Sequence, residues 1–129
     1  MPVDVSIDPE DRLITYKATG DITVADMKSA FESIFALPGF EPGMNALCDA
    51  KYASFPQMSF HELQGLVELL SERSASRGKN FKVAVLVRGN PEFGLSSLFE
   101  MQTYSLPFDV QVFRKTAEAK EWLGVPQTS

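Results

Sequence analysis

The chain contains one nearly continuous apolar run, Phe81-Lys82-Val83-Ala84-Val85-Leu86-Val87. A strand that is apolar on both faces is typical of the interior of a parallel sheet. Asn90-Pro91 follows closely, and an N-cap residue before proline predicts a helix from Pro91 to about Ser105. This segment therefore predicts an α/β domain around a buried parallel strand.

Strands and helices also alternate on the N-terminal side of this run. Residues 3–7 and 13–18 alternate between apolar and polar side chains, and a short turn joins them as antiparallel neighbours. Thr23 with Asp26 has the pattern of a capping box, which predicts the first helix. Residues 45–49 then read as a short buried strand.

The remaining elements complete a regular order. The capping box of residues 59–62 starts a helix, residues 108–113 form the last predicted strand, and Thr116 caps a final helix. The predicted order is β-β-α-β-α-β-α-β-α, a mixed, mostly parallel five-stranded sheet with packed helices. We expect residues 1–126 to form a single domain and residues 127–129 to be a frayed C-terminus.

Composition narrows the classes of function. The 129 residues carry a net charge of −5, which disfavours binding to nucleic acid and to anionic membranes. No apolar run approaches the ~18 residues that span a bilayer, so we expect no membrane insertion. Met1-Pro2-Val3-Asp4 does not resemble a signal peptide, and a single cysteine, Cys48, fits a reducing cytoplasm.

Three segments occur in a characteristic order: Gly20-Asp21-Ile22-Thr23 before the first helix, the apolar residues 83–87, and residues 117–123 after the last strand. In this order the chain resembles the STAS/SpoIIAA-like family, the fold of bacterial anti-sigma-factor antagonists, from about Val3 to Leu123. It is most similar to an uncharacterised bacterial branch that is sometimes grouped with SEC14/CRAL-TRIO-like lipid-binding domains. The resemblance implies a SpoIIAA-like fold that binds a partner or ligand non-covalently.

The antagonists of this family carry a phosphorylatable serine in an Asp-Ser-Ser-Gly-type turn. That motif is absent here, where the corresponding stretch is residues 49–59 and is longer. Asp49 matches the acidic residue at the end of the strand, and Ser54 or Ser59 would be the candidate phosphorylation site. A phosphate on Ser59 would lie at a helix N-terminus, where negative charge is favoured, although Ser59 already serves as an N-cap.

No catalytic constellation is visible in the sequence. His61 is the only histidine and is predicted to be solvated, so a metal site is not expected. Cys48 is predicted to be a buried small side chain. Residues 89–94 lack the lysine and glycine spacing of a phosphate-binding loop. We therefore predict no catalytic, metal or cofactor-binding residues, no cofactor, and a protein that is not an enzyme.

The helix predicted from Pro91 carries more apolar side chains than one face can hold. Positions 93, 95 and 99 spread around the helix, which predicts a sandwiched core helix, a dimer interface or the wall of an apolar pocket. Arg88 follows the buried strand, at the sheet edge where ligands gather in open α/β folds. An ion pair with Asp49 is the alternative role for Arg88. The candidate partner- or ligand-binding residues are Asp49, Tyr52, Ser54, Phe55, Arg88, Phe93, Leu95, Leu98 and Phe99.

Two hypotheses of function follow. The first is a non-catalytic regulatory or protein-interaction module that forms a homodimer and binds a regulatory protein. The alternative is a small carrier or sensor of an apolar ligand or lipid, with a SEC14-like pocket between the sheet and helix 91–105.

Overall fold

A computed structural model describes residues 2–126 as five strands and five helices. The strands are β1 Val3–Asp8, β2 Leu13–Asp21, β3 Asn45–Ser54, β4 Lys82–Leu86 and β5 Asp109–Phe113. The helices are α1 Val24–Ser33, α2 Phe60–Glu72, α3 Ser74–Arg77, α4 Asn90–Gln102 and α5 Thr116–Leu123, and a 3-10 turn, Ile34–Ala36, follows α1. The predicted C-terminal fraying at 127–129 lies outside the described residues.

The strands form one sheet in sequence order, β1-β2-β3-β4-β5. β1 is antiparallel to β2, and every other pair is parallel, with Cys48 opposite Val85 and Val85 opposite Val112. The apolar run at 81–87 therefore supplies an interior strand with parallel neighbours on both sides. The predicted mixed, mostly parallel five-stranded sheet is confirmed.

Helices cover the two sheet faces unequally. The face that carries Val85 and Val87 packs against α1, α2 and α4, and together they form the larger apolar cluster. The opposite face carries Ala84 and Leu86, and packs against α5 in a smaller cluster. Alternation along β4 thus assigns neighbouring residues to different cores, as strand geometry requires.

The structure corrects several predicted boundaries. β3 continues to Ser54 because its last residues pair with β2 beyond an irregularity after Lys17, whereas the sequence predicts an end at Asp49. A short helix, α3, follows α2 within the polar stretch before Gly78, an element that the sequence does not predict. α4 ends at Gln102 and not near Ser105.

Two predicted N-caps are wrong by one residue, since Gly89 caps α4 and Lys115 caps α5. The side chains of the two residues predicted as caps, Asn90 and Thr116, have other partners. The Asn90 Oδ1 accepts a hydrogen bond from Arg114 at 2.8 Å. The Thr116 hydroxyl accepts one from the Lys51 ammonium at 3.2 Å. The capping box at Thr23 and Asp26 is confirmed, with both reciprocal bonds present.

Candidate functional site

An apolar cavity of about 120 Å³ lies between the sheet and the helices α1, α2 and α4. Its floor is formed by β2, β3 and β4, through residues that include Tyr16, Cys48 and Val85. Leu95 and Phe99 of α4 line the opposite wall, and the lining is almost entirely apolar. The cavity is not fully enclosed, so a small molecule would have a route in from solvent.

Polar groups enter this lining at a few points. Tyr16 and Cys48 place a hydroxyl and a thiol on the sheet side, and Ser96 of α4 lies across from them. Burial raises the pKa of the Tyr16 phenol well above its usual value. Burial and the neighbouring Asp49 raise the pKa of the Cys48 thiol to about 12. Both groups are therefore neutral at physiological pH. In this apolar environment they can take part in hydrogen bonds, but they carry no charge.

Arg77 is the one cation in the lining among the described residues. Its relative exposure is 4%, although it ends the short helix α3 in a polar stretch of the sequence. The guanidinium stacks on the ring of Phe81, with 3.8 Å between Cζ and the ring centroid. Burial lowers the pKa of Arg77 to about 10, and the Tyr16 interaction opposes this shift.

Sequence reasoning missed Arg77 because nothing in residues 71–80 distinguishes it from the polar residues around it. Its burial depends on long-range contacts: Arg77 Nη2 donates to the Met44 carbonyl at 2.6 Å, and the Arg77 carbonyl accepts from the Gly43 amide at 2.8 Å. The only local signal is Gly78, which follows Arg77 with a φ of +97°. That signal predicts a helix stop and says nothing about burial.

The candidate residues of α4 divide between two faces. Leu95 and Phe99 line the cavity, and Phe93 packs against the larger cluster. Leu98 is half-buried and does not belong to the lining. The outer face continues with Met101, which is 72% exposed. The interpretation of α4 as a core helix sandwiched on all sides is therefore wrong.

The candidates at the carboxyl edge of the sheet are brought together only in part. Tyr52 is 59% exposed, and the Arg88 guanidinium lies 5.1 Å from its ring centroid. Asp49 accepts a hydrogen bond from the Lys51 amide at 3.3 Å. Within residues 2–126, neither of the two ion pairs joins Asp49 to Arg88, so that alternative is wrong. Phe55, which follows β3, lines the apolar cavity and does not join the residues at the sheet edge.

The two candidate phosphorylation sites lie in different settings. The Ser54 hydroxyl donates to the Asp21 carboxylate at 2.7 Å, so a phosphate there would meet a negative charge. The Ser59 hydroxyl caps α2 and accepts from the Glu62 amide at 3.2 Å. His61 is exposed, as predicted. Over residues 2–126, no group of three or more His, Cys, Asp or Glu side chains is placed to hold a metal ion.

No helix within residues 2–126 has both the length and the hydropathy needed to cross a bilayer. No protein-family model matches the sequence, and no curated protein is significantly similar to it.

A search of solved structures does find similar folds. One is an uncharacterized protein from the DUF3478 family with a SpoIIAA-like fold, from Shewanella loihica. It is 22% identical in sequence, with a TM-score of 0.58, and the match covers 94% of this chain and 91% of that one. At this identity the likeness concerns the fold. The chain therefore has the SpoIIAA-like α/β fold that its sequence predicts.

Proposed function

We propose that this domain binds a small apolar molecule in the cavity beneath α4, as a carrier or sensor without catalytic chemistry. The observation that supports the proposal is the cavity itself, because protein interiors are normally packed without voids much larger than water. The apolar side chains that line this void lack packing partners on that side. An apolar occupant would recover those lost contacts.

The size of the cavity limits the occupant. Dry cavities of roughly 150 Å³ hold molecules such as benzene, whereas sites for larger ligands usually have ~300 Å³ or more. At about 120 Å³, the cavity fits a short alkyl chain or a single ring. Because the cavity is not fully enclosed, the end of a longer chain would extend toward solvent.

The proposal is tested with 1-octanol as a neutral probe and with a matched pair of serine variants. Ser96 lines the cavity, and Ser97 does not. Ser96→Leu fills part of the cavity, and Ser97→Leu makes the same chemical change beside it. We expect 1-octanol to raise the Tm of the wild type and of Ser97→Leu, but not of Ser96→Leu. Equal shifts in all three proteins, or none in the wild type, would contradict the proposal. Native mass spectrometry of the purified protein would add the mass of any ligand that co-purifies.

A second candidate function is a protein-interaction module that forms a homodimer. The α4 patch, defined here as Phe60, Met101 and Tyr104, supports it, because these large apolar side chains are 51%, 72% and 93% exposed. The Gln102 amide donates to the Phe60 carbonyl at 3.3 Å, which brings the start of α2 to the end of α4. Aromatic residues and Met are enriched at protein interfaces.

The oligomeric state tests this second candidate directly. In sedimentation at several concentrations, we expect the wild type to dimerise and Met101→Lys with Tyr104→Lys to remain monomeric at unchanged Tm. Phe99→Asp would be a poor probe, since Phe99 lines the cavity. A wild type that stays monomeric at high concentration would contradict the homodimer.

A further inference from the structure

We infer that the molecule bound in this cavity carries one anionic group, a carboxylate, which accepts hydrogen bonds from Nη1 of Arg77. This inference rests on the proposed function and narrows its ligand from any small apolar molecule to a short amphiphile with a negative head. The observation behind it is a cationic side chain in the lining of an apolar cavity, with one buried nitrogen that has no hydrogen-bond partner within residues 2–126.

Arg77 uses only part of its hydrogen-bonding capacity. Nη2 donates to the Met44 carbonyl at 2.6 Å, whereas Nη1 is buried and has no hydrogen-bond partner within residues 2–126. Stacking on Phe81 holds the plane of the guanidinium but satisfies none of its N–H donors. A buried donor without a partner is destabilising, and a charged donor more so. Because Arg77 lines the cavity, Nη1 is the donor that the proposed acceptor would satisfy.

The charge of Arg77 is also uncompensated. No Asp or Glu occurs among the described residues that line the cavity, and neither ion pair within residues 2–126 involves Arg77. The titratable group that interacts with Arg77 is Tyr16, a neutral phenol. A buried cation without a counter-ion is costly, and an anionic ligand would supply that counter-ion.

The chemistry of the rest of the lining selects the class of anion. Arg77 provides a single positive charge, which balances a monoanion, and a guanidinium is well matched to the planar carboxylate. The remaining lining is apolar and includes Leu95 and Phe99 on the opposite wall, which suits a short alkyl or aryl tail. A benzoate-like molecule or a short-chain fatty acid has both parts.

Calorimetric titration with octanoate and 1-octanol, which share a chain length and differ in the head group, tests the inference. The wild type should bind octanoate about tenfold or more tightly than 1-octanol, as expected for a charge-assisted hydrogen bond. Arg77→Met, which keeps an apolar stem, should lose this preference and retain 1-octanol binding. Arg73→Met is the matched control, because Arg73 also stacks on a phenylalanine, pairs with Glu32 and lies outside the lining.

The outcomes separate the inference from the function on which it rests. If the wild type binds both probes equally, the inference that the ligand carries a carboxylate is wrong, while the proposal of an apolar binding site in the cavity is retained. Binding of neither probe would overturn both. If Arg77→Met fails to fold, the wild-type comparison still decides, and a preference unchanged in a folded Arg77→Met would overturn the role of Arg77.

Discussion

At the scale of single residues, Cys48 connects the cavity to the pH dependence of folding. Its thiol pKa rises from 9.0 in the unfolded chain to about 12 in the fold, because burial penalises the thiolate. A raised pKa stabilises the fold fully below pH 9, and this contribution is lost as the pH rises from 9 through 12. The high pKa also makes Cys48 a slow nucleophile near neutral pH.

This coupling between thiol ionisation and folding predicts that the effect of Cys48→Ala on stability depends on pH. The variant should be less stable than the wild type at pH 8, and the difference in the free energy of unfolding should narrow by about 1 kcal/mol or more by pH 10.5. Urea denaturation across this range measures it. Val85→Ala, which changes a neighbouring wall residue without an ionisable group, should show a constant difference. If the difference in the free energy of unfolding between the wild type and Cys48→Ala widens with pH, the raised pKa of Cys48 is contradicted.

At the scale of elements, the turn after α3 fixes the position of Arg77. Gly78 has a φ of +97° and packs directly on the backbone of Pro42 and Gly43, so that a Cβ at this position would collide with them. The Gly43 amide donates to the Arg77 carbonyl at 2.8 Å across the same contact. The turn thus holds a short helix end against the loop before β3.

Two alanine substitutions should therefore have opposite effects. Gly78→Ala should destabilise the fold by about 2 kcal/mol or more, from backbone strain and overpacking. Gly94→Ala, in α4 with open space around it, should stabilise the fold by about 0.5–1 kcal/mol, from helix propensity. Thermal denaturation of both variants checks the pair. A neutral Gly78→Ala would show that the turn tolerates a side chain.

At the scale of the whole molecule, the sequence predicts the architecture well because most elements carry their own local signal. Alternation marks β1 and β2, the apolar run marks β4, and the capping box at Thr23 marks α1. The full length of β3 escapes prediction since its end depends on pairing with β2.

The candidate site is less predictable than the fold. Phe55, Leu95 and Phe99 could be proposed because their residue types and positions already indicated an apolar surface. The burial of Arg77 could not be proposed in the same way. It depends on a hydrogen bond to the Met44 carbonyl, 33 positions earlier in the chain, and on stacking against the Phe81 ring. The cavity itself arises from how three helices meet one sheet face, a property that no single segment encodes.

The central claim, a ligand in the cavity beneath α4, is tested most directly by methyl NMR during titration with octanoate. The two sheet faces supply an internal control, since Leu66, Val85 and Leu95 line the cavity, whereas Leu47 and Leu123 belong to the cluster under α5. We predict saturable shifts confined to the first group. Shifts of equal size in both groups, or no saturable shift in the first, would contradict the claim.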